Sequence, residues 1–544
     1  MWKKILGTLL GLVVGLAAVG WVKREAVLLY IVAHKDRIET HPNRPVVWNT
    51  GPAIAASTPN VIFILLDDVG INDLSLLGEG TMRTPNIEKL AAGGALFTNA
   101  YAANATCAPS RAALLTGRYA TRTGFEFTPL PNGMGRISVM IGNGLDRGGP
   151  KYEFNDQAAE TLVPFDDQAL PGSEVTLAEI MKAQGYHTMH IGKWHLGRTA
   201  ATLPNAQGFD ESLEMASGKY LAEDHNLELD AKIDFDPLDK FLWARFQHAV
   251  MWNGGDWFAP KGYMTDYFTD EAVNAIEANK NRPFFLYLAH WGAHTPLQAS
   301  QEDYDAVGDI QPHRARVYAA MLRSLDRSVG KVMDKLKAEG LDENTIVILS
   351  SDNGAPANIG LPQVNAPYRG WKTTFFEGGI RVPMVVRWPG VTQPGSKIET
   401  PVSHIDLMPT LAAATGSALP ADVRIDGRDI TGLMRGQTGL NRPDDAIYWS
   451  SGYYRAVRAG NWKLQANGRQ GISWLFDLTL DPTEQNNLAA SRPDKLAELQ
   501  SLVTAHWADA VAPLYPSIVD IPVPIDKTLA DAYVDGDETV YWPN

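Results

Sequence analysis

Residues 60–68 read Asn-Val-Ile-Phe-Ile-Leu-Leu-Asp-Asp, an unbroken apolar run that ends in two adjacent carboxylates. A strand with one face in water alternates polar and apolar residues. This run does not, so it predicts a strand buried on both faces, as strands of parallel sheets are. The two carboxylates then fall at the carboxyl end of the strand, where ligands gather in open α/β sheets. Runs of the same kind recur at 187–191, 284–289, 345–349 and 382–386. Helical patterns at 84–93, 176–184, 270–279 and 314–340 lie between them. The alternation predicts an α/β fold with a large, mostly parallel sheet covered by helices on both faces.

Beyond residue 440 the pattern changes to short aromatic strands at 446–449, 454–458, 462–465 and 474–477, which predict a small C-terminal antiparallel sheet. The expected organisation is a catalytic domain over 60–440, a C-terminal subdomain over 441–544, and a Pro-rich linker or arm over 35–59. Residues 125–170 and 200–262 are weakly periodic and read as insertions over a site.

The chain has 544 residues, with 48 Lys and Arg against 62 Asp and Glu, a net charge of −14. That sign argues against a nucleic-acid partner. With 45% hydrophobic and 20% charged residues, the composition is that of a globular protein and excludes disorder as the main state. A single cysteine, Cys107, excludes an intrachain disulfide, a cysteine-based zinc site and an iron–sulfur cluster. Lys3 and Lys4 precede an apolar run over 5–21 with a small-x-small ending, so residues 1–34 read as a signal peptide or an N-terminal membrane anchor. Either reading predicts an exported protein, periplasmic or extracellular.

Polar residues collect after four of the apolar runs: Asp67-Asp68 after the first, Lys193 and His195 after the second, His290 and His294 after the third, and Asp352-Asn353 after the fourth. Singly, Asp67-Asp68-Val-Gly and Asp352-Asn353-Gly read as turns. Jointly they supply the hard oxygen ligands that Ca²⁺ or Mg²⁺ prefers, and neither pair contains the His or Cys that zinc favours. Pro109 and Gly117 predict a helix entered just after Cys107, placing that residue at a helix N-terminus, which favours an anion. Aromatic residues Trp243, Trp252, Trp257, Phe258 and Tyr263 suit either stacking on a substrate ring or packing.

Cys107-Ala-Pro-Ser-Arg111 followed by Ala-Ala-Leu-Leu-Thr-Gly-Arg resembles the signature of the type I, formylglycine-dependent sulfatases of the alkaline phosphatase superfamily. Further matches follow in family order at 60–70, 191–197 (IGKWHLG), 284–297, 351–354, 369–383 (RGWKTTFFEGGIRVP) and 475–488 (LFDLTLDPTEQNNL). The resemblance implies an alkaline-phosphatase-like fold and hydrolysis of sulfate esters, of an aryl sulfate or a sulfated carbohydrate, to alcohol and inorganic sulfate. It also implies conversion of Cys107 to Cα-formylglycine by a sulfatase-maturing partner, and one Ca²⁺ held by Asp67, Asp68, Asp352, Asn353 and residue 107. Two-zinc phosphatases of the superfamily carry Asp-His where this chain has Asp352-Asn353. By the same resemblance, one hydroxyl of the hydrated aldehyde attacks sulfur and His294 protonates the leaving oxygen beside Lys372. Lys193 holds the sulfate oxygens, and Arg111 and His195 position residue 107. His290 departs from the family pattern and is expected either to line the pocket or to pack beside Trp291. The competing readings are a phosphonate monoester or phosphodiester hydrolase using the same site, and a non-catalytic sulfated-glycan binding protein.

Overall fold

A computed structural model describes residues 30–31, 37–54, 58–78, 80–145 and 147–544. The apolar run at 5–21 lies outside them; among the described residues no helix is long and apolar enough to cross a membrane.

The centre of the molecule is a ten-stranded sheet. In chain order its strands are β1 (Asn60–Leu66), β2 (Ala95–Phe97), β3 (His187–Gly192), β4 (Glu211–Ser217), β5 (Gln247–Trp252), β6 (Trp257–Phe258), β7 (Phe284–Ala289), β8 (Thr345–Ser351), β9 (Met384–Arg387) and β10 (Ser396–Ile398). Their spatial order is β10-β2-β9-β8-β1-β7-β3-β4-β5-β6. The block β8-β1-β7-β3-β4 is parallel throughout. Antiparallel pairs flank it, β9 on β8 at one side and β5 on β4 at the other.

The apolar runs lack alternation because both faces are covered. Ile62, Ile64 and Leu66 pack with Leu286 and Leu349 beneath helices α3 (Met264–Asn279) and α4 (His313–Ala338). Val61, Phe63 and Leu65 pack on the other face with Phe285 and Ile348, against α1 (Cys107–Thr116), α2 (Leu177–Ala183) and α5 (Leu407–Thr415). Local signals set the helix ends. Thr176 and Glu179 form a capping box at the start of α2, and Gly117, in the left-handed conformation at φ 65°, closes α1 through its N–H to the Ala113 carbonyl.

Four antiparallel strands, β11 (Ala446–Ser451), β12 (Tyr454–Ala459), β13 (Trp462–Asn467) and β14 (Ile472–Asp477), form the small C-terminal sheet where the aromatic pattern places it. The weakly periodic stretch at 200–262 is not simply an insertion, because it supplies β4, β5 and β6 of the main sheet. Glu211 and Glu214 break the apolar pattern of β4, and the structure explains one of them: the Glu211 carboxylate lies 2.7 Å from His187 Nε2 on the neighbouring strand. In the 125–170 stretch, Glu153–Phe154 pairs with the strand Val519–Pro524 near the C-terminus. The arm is tied down: Trp48 is buried and its indole N–H donates to Glu271 at 2.8 Å, and His41 bridges to Phe258 at the sheet edge.

Candidate active site

The carboxyl ends of β1, β3, β7 and β8 deliver their polar residues to one pocket. β1 runs directly into Asp67 and Asp68, and β8 into Asp352 and Asn353, all four buried. Parallel registry of β1 with β8 brings the pairs together, and the Asp68 N–H donates to Asp352 Oδ1 at 3.2 Å. α1 begins at Cys107, so its first turn points at the same place. From that helix Arg111, fully buried, donates to Asp352 Oδ2 (2.9 Å), Asp67 Oδ2 (3.0 Å) and the Lys193 carbonyl (3.1 Å).

Two lysines complete the ring of cations. Lys193 Nζ lies 2.6 Å from Asp67 Oδ2 and 4.6 Å above the Trp291 ring. Lys372 Nζ lies 2.7 Å from Asp68 Oδ1 and 3.1 Å from Cys107 Sγ. Sγ is itself 3.6 Å from Asp67 and 3.8 Å from Asp68. His294 Nδ1 lies 2.6 Å from the Thr295 carbonyl, which fixes that nitrogen as the donor, while Nε2 faces Asp68 at 3.6 Å. Its ring stacks on Trp291 at 4.1 Å between centroids. His195 is partly buried at the pocket and its Nδ1 has no hydrogen-bond partner.

Burial pushes the Asp67 carboxyl up, but the charges of Lys193 and Arg111 outweigh it and hold the group below the ordinary carboxylate range. For Lys372 burial works downward and the nearby Asp68 carboxylate overcomes it, so the ammonium is held firmly charged. Burial lowers His294 and His195 well below the ordinary imidazole value; the next largest cause is Lys372 for His294 and Lys193 for His195. The helix N-terminus does not make Cys107 an anion. Burial, followed by the Asp352 carboxylate, pushes its thiol far up, against the pull of Lys193 and Lys372. The unmodified thiol is a poor nucleophile in this setting.

The pocket is suited to a divalent cation. Asp67, Asp68, Cys107 and His294 offer ligand atoms within 4.8 Å of one another. Asn353 donates its amide N–H to Asp68 Oδ1 at 2.7 Å, while its Oδ1 is buried with no partner, an acceptor left free for a cation. Asp352 reaches the cluster mainly through Arg111 and the Asp68 amide. Asp68, His195 and Thr373 all hold left-handed backbone (φ 58°, 67° and 74°), strain that gathers around functional sites.

Sequence reasoning missed two supports. The Tyr220 hydroxyl meets the carbonyls of both Trp291 and His294, at 2.9 and 2.8 Å, and Gly218 leaves room for the Trp291 ring, which a Cβ would approach to 2.2 Å. Neither residue sits in a local pattern that announces it. His290 does not line the pocket. It is fully buried, with Nε2 2.9 Å from Ser328 Oγ on α4, so its role is packing within the core. Of the aromatic residues at 243–263, Tyr263 stacks on Tyr220, Trp252 meets Trp48 edge-on, and Phe258 is buried, so these three serve packing.

The chain is similar to known proteins over most of its length. The family model described as Sulfatase matches residues 59–417, and one described as N-sulphoglucosamine sulphohydrolase, C-terminal, matches 369–507. Steryl-sulfatase of Rattus norvegicus is 30% identical over 494 residues, covering 79% of this chain and 78% of its own. N-acetylgalactosamine-6-sulfatase of Canis lupus familiaris is 32% identical over 421 residues, covering 76% and 72%. Among solved structures, Ps i-CgsB in complex with k-i-k-neocarrahexaose superposes with a TM-score of 0.70 at 30% identity, covering 84% of this chain and 95% of that one.

Proposed function

This chain belongs to the sulfatase family and is a sulfuric ester hydrolase, and from that premise we propose that it removes sulfate from a sulfated carbohydrate through a modified residue 107 and one bound Ca²⁺. One observation carries the reading: three fixed cations, Arg111, Lys193 and Lys372, converge with His294 on the carboxylates of Asp67, Asp68 and Asp352 that surround residue 107, and Lys372 reaches residue 107 itself. The phosphonate and phosphodiester alternatives are not retained, because the matching family model and the curated relatives are those of sulfatases.

Asp67, Asp68, Asp352 and Asn353 would hold the cation, and the unpartnered Asn353 Oδ1 fits such a ligand. Once bound, Ca²⁺ supplies Lewis-acid polarisation, and Cys107 converted to Cα-formylglycine supplies an oxygen nucleophile in place of a protonated thiol.

The chain's own residues do the rest. Lys193 and Lys372 bind the sulfate oxygens and stabilise charge as it moves toward the leaving oxygen. Lys372, 3.1 Å from the residue 107 side chain, also fixes the distance between nucleophile and sulfate. Arg111 orients the carboxylates that line the pocket. His294, with Nδ1–H committed to the Thr295 carbonyl, turns Nε2 to the leaving oxygen; the negative charge of a bound sulfate ester favours the imidazolium against burial and Lys372, and in that form Nε2–H passes its proton to the leaving oxygen. His195, its Nδ1 unpaired, would accept the proton that residue 107 loses when sulfate departs.

The same reading includes a maturing enzyme as partner, export of the chain with residues 1–34 as signal or anchor, and a division into domains at 60–440 and 441–544. The Lys3-Lys4 start and apolar run support export. The test pairs peptide mass analysis of residue 107 with turnover of a panel of sulfated mono- and oligosaccharides, steryl sulfate and p-nitrophenyl sulfate, before and after chelation. Formylglycine at 107, calcium-restored activity and a preference for the sugars are expected. Full activity from an unmodified thiol would refute the proposed chemistry.

A further inference from the structure

Lys372 sits in a loop, residues 369–381, that is gripped from two sides. On the pocket side its own N–H donates to the Ala355 carbonyl at 3.1 Å, the Thr373 N–H to the Ala105 carbonyl at 2.8 Å, and the Gly379 carbonyl accepts from Gly354 at 2.9 Å. Those partners are the backbone next to Asn353 and to Cys107. The loop is also closed on itself, with Gly378 N–H on the Arg369 carbonyl at 2.8 Å. Gly378 packs so closely that a Cβ would stand 2.3 Å from the Gly370 carbonyl oxygen. A loop packed backbone to backbone passes a displacement on rather than absorbing it.

The far side is held by the C-terminal sheet. Glu484, in the LFDLTLDPTEQNNL stretch that no catalytic role has absorbed, accepts the Glu377 N–H on Oε2 at 2.5 Å. Lys463 on β13 lies between Glu377 Oε1 (2.8 Å) and Glu484 Oε1 (2.9 Å), and all three side chains are fully buried. Glu377 Oε2 accepts from the Tyr101 hydroxyl at 2.7 Å and from Arg381 at 3.2 Å. Tyr454 on β12 accepts the Phe375 N–H at 2.9 Å, stacks on the Phe375 ring, and bonds onward to Gln465, whose amide reaches Glu484 at 3.2 Å. Glu484 itself is held at φ 58°, a left-handed conformation a non-glycine residue adopts only when its surroundings impose it.

A buried ion cluster is weak evidence for stability as such, since apolar residues of equal volume serve a core as well or better. What this cluster offers over an apolar one is direction: each carboxylate oxygen fixes a particular donor. We infer that Glu484 and Lys463 are positioning residues for the reaction, holding the 369–381 loop so that Lys372 Nζ stays over residue 107. The inference rests on the sulfatase reading for the role of Lys372, and it makes the C-terminal sheet a working part of the active site.

Glu484→Ala and Tyr454→Phe remove the two anchors separately, and Glu484→Gln keeps an acceptor for the Glu377 amide. Steady-state hydrolysis on the wild-type chain's best sulfate ester is combined with hydrogen-exchange mass spectrometry of the 369–381 peptide. Glu484→Ala is expected to lower kcat at least tenfold with KM within twofold, to speed exchange in 369–381, and to leave β1 and β8 protected. Glu484→Gln recovers kcat to within threefold, and Tyr454→Phe, which removes only a hydroxyl, lowers kcat three- to tenfold with faster exchange at the Phe375 amide. Variants whose folded fraction keeps wild-type kcat, or whose 369–381 peptide stays protected, would overturn the inference. If Glu484→Ala does not fold, Tyr454→Phe decides by the same criteria. A wild-type chain inert on every sulfate ester defeats the sulfatase reading instead, and the exchange data still report on the clamp.

Discussion

Replacing Arg111 by Met keeps the aliphatic stem and removes the charge that joins the two halves of the pocket. In the native protein Nε and Nη2 lie 2.9 and 2.8 Å from Asp352 Oδ2, and Nη2 also lies 3.0 Å from Asp67 Oδ2. After substitution Asp352 retains only the Asp68 amide at 3.2 Å, while Asp67 retains Lys193 at 2.6 Å. Stranding a buried carboxylate costs about 3–5 kcal/mol, and the lower half applies because Asp67 keeps a partner. Across the unfolding entropy of a domain of several hundred residues, that loss lowers Tm by about 3–5 °C. Activity falls further than stability, by about 10²–10³ in kcat, because both carboxylates lose their orientation. The Lys193 carbonyl also loses its donor, at 3.1 Å, so the segment bearing Lys193 loosens as well. Differential scanning fluorimetry is run in chelator, where no cation compensates the stranded carboxylate, and kcat is measured in excess calcium, so that metal loss is not the cause of lost turnover. Arg111→Lys restores charge without the planar fork and is expected between wild type and Met. A Met variant with Tm within about 1 °C of wild type and kcat within about twofold would refute the assigned role of this guanidinium.

Lys372→Met is expected to cut kcat by about 10²–10³ with a smaller change in KM, measured on p-nitrophenyl sulfate; a raised KM with kcat unchanged would place the lysine in ground-state binding. Trp291→Leu removes the ring beneath Lys193 and beside His294, and about a tenfold fall in kcat/KM is expected, the size of a desolvated cation–π contact. An unchanged kcat/KM would show that Lys193 is held by Asp67 alone. Glu214 on β4 is buried, its Oε2 has no partner, and burial lifts its carboxyl to about 8 against the pull of Arg198. A carboxyl whose folded value exceeds its unfolded value binds more protons in the native state, so stability falls as pH rises from about 4.5 to 8. Glu214→Gln should therefore match wild-type Tm near pH 4.5 and exceed it at pH 8.5; parallel curves would rule the effect out.

Much of the architecture is legible in the sequence because burial on both faces leaves a simple mark. Residues 61–66 and 284–289 carry no polar interruption, and polar residues begin where each strand reaches the pocket. β4 hides for the opposite reason: Glu211 and Glu214 stand in it, and the His187 contact that makes Glu211 tolerable comes from a strand more than twenty residues earlier. Asp67, Asp68, Asp352 and Asn353 announce themselves as pairs after strands, and Cys107 and Arg111 through their motif. Tyr220 and Lys463 do not. Each acts through partners far away in the chain, and a lone Tyr or Lys carries no local trace of such a partner. The left-handed backbone at His195 and Glu484 is equally silent, since nothing in the residue type asks for it.

Every residue of α1 is buried, Cys107 included. On the chemistry proposed above, a maturing enzyme could not insert its own active site beneath the sheet, the 369–381 loop and two lysines, so the conversion of Cys107 would have to come before the strands pair. Folding would then be a deadline. A chain that folded first would lock its thiol out of reach, and correct folding alone would not distinguish a converted molecule from an unconverted one. The proportion of active protein in a preparation would be set by a race during synthesis, which only unfolding the chain would reopen.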